Sequence, residues 1–598
     1  MSASGETPRR SSKRRRNVIT AGQAVEGPRV IVVGAGLSGL SCALHLVKTL
    51  GASVTVLEAR ERVGGRCWSH TMKLSHGGEA LDGGAENGLA DPLRAAVDLG
   101  AGWIHGIRGN PLSRLCTSYR LEMAFTGSGQ VIPMYDACTG HMAPPQVDEK
   151  VERVFNEGLT AASAVGEVDL LAEEMVARHA PRLVASAQAT SGAQQTARPV
   201  KQRFPGAGMF LPLMEVYLGQ VASWTKLPQE DVQEVAVVLE SMLFAAECIG
   251  TESLMQQTAL GDYLSVHFDM CIPYATPLER RLFWWHRSNL EYANATDLGA
   301  LSAAYWNFDD EHSFSGAHAL LRQGYGALAA ELARDAEKRG VEIKLAHEVS
   351  LIDSARGFVS GKRREESGAK PVAFKETADF IVVTLPLGVL KDARVRFTPA
   401  LPAAKTRAIE QLGFGNLNKV ALAFPYCFWD QHFPVLANVS ASPGEFFLAV
   451  NMKPVAQANV LVLLASGAFC NALESMSDAE AVQRAMASLQ RMYPRVAVPP
   501  PTDFIVTRWR SDPLARGSYS FIKRGATPDR IADLAAPLPG GKVFFAGEAT
   551  SSKHIATAHG AYLSGLRAGK DITEAFTGKP SSSSSVPATP ESATSAPL

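Results

Sequence analysis

The first strong hydrophobic signal is Arg29-Val30-Ile31-Val32-Val33, a β-branched run without polar alternation. Such runs form central parallel strands, covered on both faces. A helical pattern follows from Ser38 to about Leu50, then a second apolar run, Val54–Leu57, ending at Glu58. Strand, helix and strand within about thirty residues make a βαβ unit. Between about Asp148 and Gln323 the pattern becomes helical, interrupted by a Ser/Ala/Gln/Pro-rich stretch near Ala185–Phe204. Strands return at Val341–Leu345, Phe380–Thr384, Lys419–Phe424 and Asn459–Leu464. The last apolar run, Lys542–Ala546, precedes a helix after Thr557. The expected fold is α/β, with a Rossmann-like nucleotide-binding domain built from discontinuous segments and an inserted α+β substrate-binding domain. The segments expected for the first are 28–146, 323–415 and 506–577. The second takes 147–322, mostly helical, and 416–505, mostly strand. Residues 1–27 and 578–598 are polar tails expected to be disordered.

Composition narrows the function classes. With 598 residues and 46% apolar content there is material for more than one core. Lys plus Arg equals Asp plus Glu at 59 each, so no global field favours nucleic acid or an anionic membrane. Eight cysteines are scattered without paired Cys/His spacing, so neither a disulfide framework nor a metal site is expected. No apolar run reaches the roughly 18 residues that span a bilayer. The longest, Phe380–Leu390 and Val460–Ala465, read as buried strands. Without an apolar segment near Met1, a soluble protein of the nucleus or cytoplasm is expected. The cluster Arg9, Arg10, Lys13, Arg14, Arg15 and Arg16 fits a nuclear-import signal, a transit peptide or a plain solvated tail.

Gly34-Ala35-Gly36-Leu37-Ser38-Gly39 is GxGxxG placed between strand and helix. Gly34 allows the tight turn, Gly36 lets backbone amides approach a pyrophosphate, and Gly39 lets the helix pack close to the sheet. Glu58 stands about twenty residues on, where an acid bonds ribose hydroxyls. Glu58-Ala59-Arg60 with Gly64-Gly65-Arg66 resembles the extended fingerprint of the large FAD-binding oxidoreductase superfamily. Phe544-Phe545-Ala546-Gly547-Glu548 resembles its second FAD-binding segment. Without a second GxGxxG, a separate NADPH site is unsupported, and FAD is the expected cofactor.

Four further segments resemble the flavin-containing amine oxidases, in the branch of polyamine oxidases and lysine-specific histone demethylases. They are Asp98–Gly106 (DLGAGWIHG), Asn416–Val420 (NLNKV), Arg508–Ser520 (RWRSDPLARGSYS) and Ala556–Gly565 (ATAHGAYLSG). The resemblance runs, with gaps, from about Arg29 to Ile572 and is poorest over 148–277. It implies the amine oxidase fold and catalysis by Lys419, which would hold a water against the flavin and assist imine hydrolysis or reoxidation by oxygen. Besides Gly34, Gly36, Ser38, Gly39 and Glu58, it implies cofactor contacts from Arg60, Arg66, Gly102, Trp103, Val349, Glu548, Thr557 and Ala558. Trp509 and Tyr519 resemble two walls of an aromatic cage, suited to alkylammonium by cation–π attraction. His105, His554, Asp309 and Asp310 would face the substrate. Read without the family, Lys419 is a snorkelling lysine, the two aromatics are core, and Asp309-Asp310-Glu311 is a solvated turn. Ser551-Ser552-Lys553 lacks the usual attaching cysteine, so non-covalent FAD is expected.

The substrate reading divides. Asn289–Thr296 and Arg508–Ser520 look closer to the demethylases, and Trp103–Gly106 looks closer to polyamine oxidases. Val450 stands where demethylases typically carry a further cage tryptophan, and His554 where the family usually has tyrosine. Neither a SWIRM-like domain before Arg29 nor a long heptad stretch for a helical tower is expected. The balance leans to a polyamine, with molecular oxygen as acceptor and hydrogen peroxide as product. The alternative is methyl-lysine in a histone tail. An inert flavin-bound interaction protein and a desaturase or protoporphyrinogen-oxidase relative are weaker alternatives.

Overall fold

Val30, Ile31, Val32 and Val33 are each at most 3% exposed, as expected of a strand with neighbours on both edges and layers on both faces. In the computed structural model, which describes residues 27–74, 94–126, 132–163, 258–365 and 369–578, this strand lies at the centre of a five-stranded parallel sheet. The order across the sheet is Glu342–Lys344, Ser53–Leu57, Arg29–Val33, Phe380–Val383 and Val543–Phe545. Val30 is in register with Val54 on one side and Phe380 on the other. The chain leaves the central strand toward one edge and returns later on the other side. Ligands bind at the carboxyl ends of strands at such a switch point. The helices Leu37–Leu50 and Ala558–Thr577 pack together over one face of the sheet. The basic cluster at 9–16, the stretch at 185–204 and the Ser/Pro tail lie outside the described residues.

A seven-stranded sheet forms the second layer system. Its order is Asp503–Val506, Asn418–Ala423, Val460–Ala465, Leu448–Asn451, Val435–Val439, Met134–Asp136 and His141–Met142. The last two strands lie before residue 146, so this sheet draws on chain on both sides of that expected boundary. Every residue of Asn418–Ala423 is buried. Alternation then sorts its side chains: Val420 and Leu422 join one core with the helix Asp478–Met492, while Ala421 and Ala423 join the larger core on the opposite face. Lys419 shares the face of the two alanines by the same alternation. A small sheet of Trp103–Ile104, His318–Leu321 and Met123–Thr126 completes that side.

Local chemistry explains one departure from the sequence reading. Phe380–Leu390 is not a single strand: the ladder stops at Val383, and a short helix runs Leu387–Lys391. Pro386 has no N–H to continue the ladder and instead precedes the first helical residue. The helix Pro277–Asn294 starts with a capping box, Thr276 and Glu279 bonding each other's backbone N–H. Among the described residues no helix is long and apolar enough to cross a membrane.

Candidate active site

The turn after the central strand is built for close approach. Gly34 has φ +110°, and its N–H donates to the Leu57 carbonyl at 2.8 Å. A Cβ on Gly39 would sit 2.0 Å from the Gly34 carbonyl oxygen, so a side chain there would push the helix off the turn. A Cβ on Gly36 would meet nothing within 4 Å, because that position faces open cavity. The Ser38 hydroxyl is buried and has no hydrogen-bond partner among the described residues. An open cradle at a helix N-terminus with an orphaned hydroxyl beside it is what a pyrophosphate needs. Glu58 closes the other end. Its Oε2 accepts from Ala35 N–H and its Oε1 from Arg60 N–H, both at 2.8 Å, which fixes the carboxylate and leaves lone pairs for hydroxyl donors.

Arg60 and Arg66 line the same cavity, each already held by an acid. Arg60 pairs with Asp512 at 2.9 Å; Arg66 pairs with Glu548 at 3.0 Å and donates to the Ser518 carbonyl at 2.6 Å. Glu548 is buried, and its Oε2 also accepts from Ala556 N–H at 3.0 Å and from the Ser520 hydroxyl. One carboxylate thus ties three cavity-lining segments together. Thr557 caps the helix Ala558–Thr577, accepting from Gly560 N–H at 2.9 Å. Ala558 and the cap line the cavity, which places the positive helix end on it. Val349, on the strand His347–Asp353, adds an apolar wall. The cavity encloses about 1340 Å³, more than a typical single-ligand pocket of about 300–1,000 Å³. These residues fit FAD, with space beyond it.

Lys419 lines the same cavity. It is 4% exposed, and its Nζ donates to the carbonyls of Asp98 at 2.9 Å and Gly100 at 2.8 Å. Burial pushes the ammonium down to about 8, opposed by the Asp98 charge. Burial likewise raises the Asp98 carboxyl to about 6, against a hydrogen bond from Ser69 and the Lys419 charge. A Cβ on Gly102 would lie 3.6 Å from Lys419 Nζ, so this glycine leaves the lysine head open to the cavity. Asn418, next in chain, accepts from Trp509 N–H at 3.0 Å and from the Thr507 hydroxyl at 2.9 Å. Trp509 is buried, its indole N–H donates to the Leu99 carbonyl at 3.0 Å, and its ring meets Trp68 edge-on at 6.0 Å. The Tyr519 hydroxyl donates to the Tyr292 carbonyl, and Trp103 meets the Tyr292 ring edge-on at 6.1 Å. Lys419, Gly102, Trp103, Trp509 and Tyr519 all line the one cavity.

A third group occupies the same cavity lining. His105 lies against His318, ring centroids 5.4 Å apart. Burial, then the His318 charge, depress its imidazole to about 4, so it is neutral at physiological pH. His554 stacks on Phe314 at 5.1 Å and meets His559 at 5.0 Å. Burial lowers His554 and drives His559 down to about 3. Asp309 and Asp310 begin a single 3₁₀ turn on the cavity wall. Burial, then its acidic neighbour, raise Asp309 to about 7, and burial raises Asp310.

The profile of one family, described as flavin-containing amine oxidoreductase, matches residues 37–219 and 251–573. The chain belongs to that family. Possible lysine-specific histone demethylase 1 of Drosophila melanogaster is 31% identical over 92% of this chain and 64% of its own length. Protein FLOWERING LOCUS D of Arabidopsis thaliana is 31% identical over 91% of the chain and 55% of its own. Lysine-specific histone demethylase 1 homolog 2 of the same plant is 33% identical over 91% and 58%. The chain therefore spans somewhat over half the length of these relatives. Among solved structures, a putrescine oxidase double mutant matches with TM-score 0.58 at 16% identity, covering 92% of this chain and 99% of its own. Cyclohexylamine oxidase from Brevibacterium oxydans IH-35A matches with TM-score 0.57 at 18% identity, covering 92% and 100%. These two show the fold, an α/β architecture shared with flavin amine oxidases.

Within this flavin enzyme family, sequence reasoning missed Asp98 as a support, as well as Tyr292, Phe314, His318 and His559. Asp98, Tyr292 and His559 lie inside segments that resemble the family, without a pattern that marks them individually. The Ser69, Asp98 and Tyr325 contact joins residues 29 and 227 positions apart, for which no local pattern exists.

Proposed function

We propose that the chain is an FAD-dependent amine oxidase whose substrate is an N-methylated lysine side chain in a basic peptide. The observation that carries this is the buried Lys419, which lines one cavity with Trp509 and Tyr519, in a chain similar to proteins named as lysine-specific histone demethylases over at least 91% of its length. The bound flavin supplies a two-electron acceptor for hydride from the carbon next to the amine nitrogen. The balance is one amine, one oxygen and one water giving an aldehyde, a shorter amine and hydrogen peroxide.

This chain's residues divide the remaining work. Gly34, Gly36, Ser38, Gly39 and Glu58 would hold the dinucleotide end of FAD. Arg66, Glu548 and the capped helix at Thr557 and Ala558 would hold its other end. Trp509 and Tyr519 bind the alkylammonium and exclude water. His105, kept neutral by burial, faces the amine without setting a second positive charge beside it. Lys419, titrating near neutrality, holds a water and moves a proton at Nζ. Asp309 and Asp310 attract cationic groups flanking the reacting amine, and His554 shapes the pocket beside them. The expected segment division also enters this proposal: 28–146, 323–415 and 506–577 around FAD, with 147–322 and 416–505 around the amine. Nuclear import through Arg9–Arg16 fits such a substrate.

A polyamine is the second reading. It is favoured by the acidic turn, which suits a second ammonium on a flexible chain, and by Trp103–Gly106. Peroxide release from a dimethyl-lysine histone-tail peptide, compared with spermine, spermidine and their N-acetyl forms, separates the two. Turnover of the peptide alone supports the proposal, and turnover of a polyamine alone replaces it with the second reading.

A further inference from the structure

A separate cluster of chemistry-bearing side chains lies where the helix Leu260–Cys271 packs against the helix formed by residues 145–163. His267 and Cys271 are four residues apart, so they share one helical face. His267 Nε2 and Cys271 Sγ are 3.6 Å apart. The Glu157 carboxylate comes from the other helix, and one ligand atom from each of the three lies within 4.8 Å of the others. None of the three lines the amine-oxidase cavity.

The spacing carries chemical information. A tetrahedral zinc ion with Zn–N of about 2.1 Å and Zn–S of about 2.3 Å separates those two atoms by about 3.6 Å. A thiol–imidazole hydrogen bond alone would accept that distance, but it gives no reason for a carboxylate at the same point. No basic side chain pairs with Glu157 among the described residues.

The surroundings of His267 point the same way. The residue is 5% exposed, and its Nδ1 is buried without a hydrogen-bond partner among the described residues. The Val154 backbone also lies close to the imidazole, and a metal-bound ring usually gives its remaining N–H to such a group. Gly158 makes room for the ring: a Cβ there would lie 3.0 Å from His267 Cδ2. The Tyr263 ring lies alongside, its plane 13° from parallel and its centroid 6.4 Å away.

We propose that Glu157, His267 and Cys271 bind one divalent ion of the zinc class, with water as fourth ligand, clasping the two helices together. Thiolate with imidazole selects zinc over magnesium or calcium, which prefer all-oxygen sites. Binding releases the Cys271 proton to solvent.

The test uses the full FAD-loaded chain, stripped with chelator and titrated with Co²⁺ as probe. One equivalent should give a thiolate-to-cobalt charge-transfer band that Zn²⁺ abolishes by displacement. Cys271 and Glu157 are exposed, so Cys271→Ser and Glu157→Gln should fold normally and keep the flavin spectrum. The band should vanish in Cys271→Ser, and Glu157→Gln should bind at least about tenfold more weakly. No band in the wild type, or an unchanged band in Cys271→Ser, overturns the proposal.

Discussion

Lys419 and Asp98 meet through main chain: Lys419 Nζ donates to the Asp98 carbonyl at 2.9 Å, while the Asp98 carboxylate accepts from the Ser69 hydroxyl at 2.5 Å and Tyr325 N–H at 2.8 Å. The lysine head is therefore placed by a residue whose own side chain is locked elsewhere. The Asp98 charge also raises the lysine's proton affinity, against the larger effect of burial.

Removing that support has two separable consequences. Asp98→Ala leaves the Ser69 hydroxyl and the Tyr325 N–H without their acceptor, at about 1–3 kcal/mol each. Chemical denaturation should report a stability loss of about 2–6 kcal/mol, and Asp98→Asn should lose less because its amide oxygen still accepts. Both variants remove a negative charge beside Lys419. The pH at which flavin reduction changes should move down from the neighbourhood of 8 in Asp98→Asn. An unmoved profile would remove Asp98 from the electrostatics of the lysine.

The aromatic pair should separate binding from packing. Tyr519→Phe keeps the ring and loses one hydrogen bond, to the Tyr292 carbonyl, worth about 1 kcal/mol. Amine affinity should then fall by less than about tenfold. Trp509→Ala removes a buried ring that packs on Trp68, at about 3–5 kcal/mol of stability, and also removes cation–π attraction of about 0.5–2 kcal/mol. Trp509→Phe should recover most of the binding but leave the Leu99 carbonyl unpaired. Thermal melts alongside amine KM values check both parts.

Asp309 gives the substrate side a pH signature. Its carboxyl is raised to about 7 by burial and by Asp310, so it is neutral below that pH and charged above it. Attraction of a cationic substrate is therefore gained as pH rises through about 7. KM for a cationic amine should fall over that interval in the wild type and stay flatter in Asp309→Asn. The two proteins should converge near pH 5.5. Equal slopes would return this turn to a merely solvated role.

These predictions mix what the sequence displays with what only the fold assembles. Gly34, Gly36, Gly39 and Glu58 are legible because turn, helix start and strand end are neighbours in chain. Lys419 is legible through its motif, and its buried strand through the apolar run around it. The short pair Ser69–Lys73 and Arg94–Asp98 was not, because half-exposed strands of alternating small and polar residues carry little hydrophobic signal. Nor was the packing of His105 on His318, or of His554 on Phe314 and His559. Those contacts join distant segments, and neither periodicity nor spacing encodes them. Phe380–Leu390 was over-read as strand because apolar runs do not distinguish a strand from a strand followed by a Pro-started helix.

The linkage of Lys419 to folding is a further check. Its folded value is lowered, to about 8, so below that pH the native state carries a buried charge, at a cost relieved as pH rises toward the unfolded value of 10.5. Lys419→Met should be the more stable protein at pH 7, and its advantage should shrink by pH 10. Denaturation midpoints at the two pH values measure this directly.

The central claim is that Lys419 serves amine oxidation at a bound flavin. Its most direct test is anaerobic bleaching of the flavin absorbance near ~450 nm by a dimethyl-lysine peptide, followed by mixing with oxygen, in wild type and Lys419→Met. The account predicts rapid bleaching and reoxidation in the wild type. In Lys419→Met, with FAD still bound, one of the two steps should slow by about 100-fold or more. Equal rates in the two proteins, or a wild-type flavin that neither the peptide nor any polyamine bleaches, would contradict it.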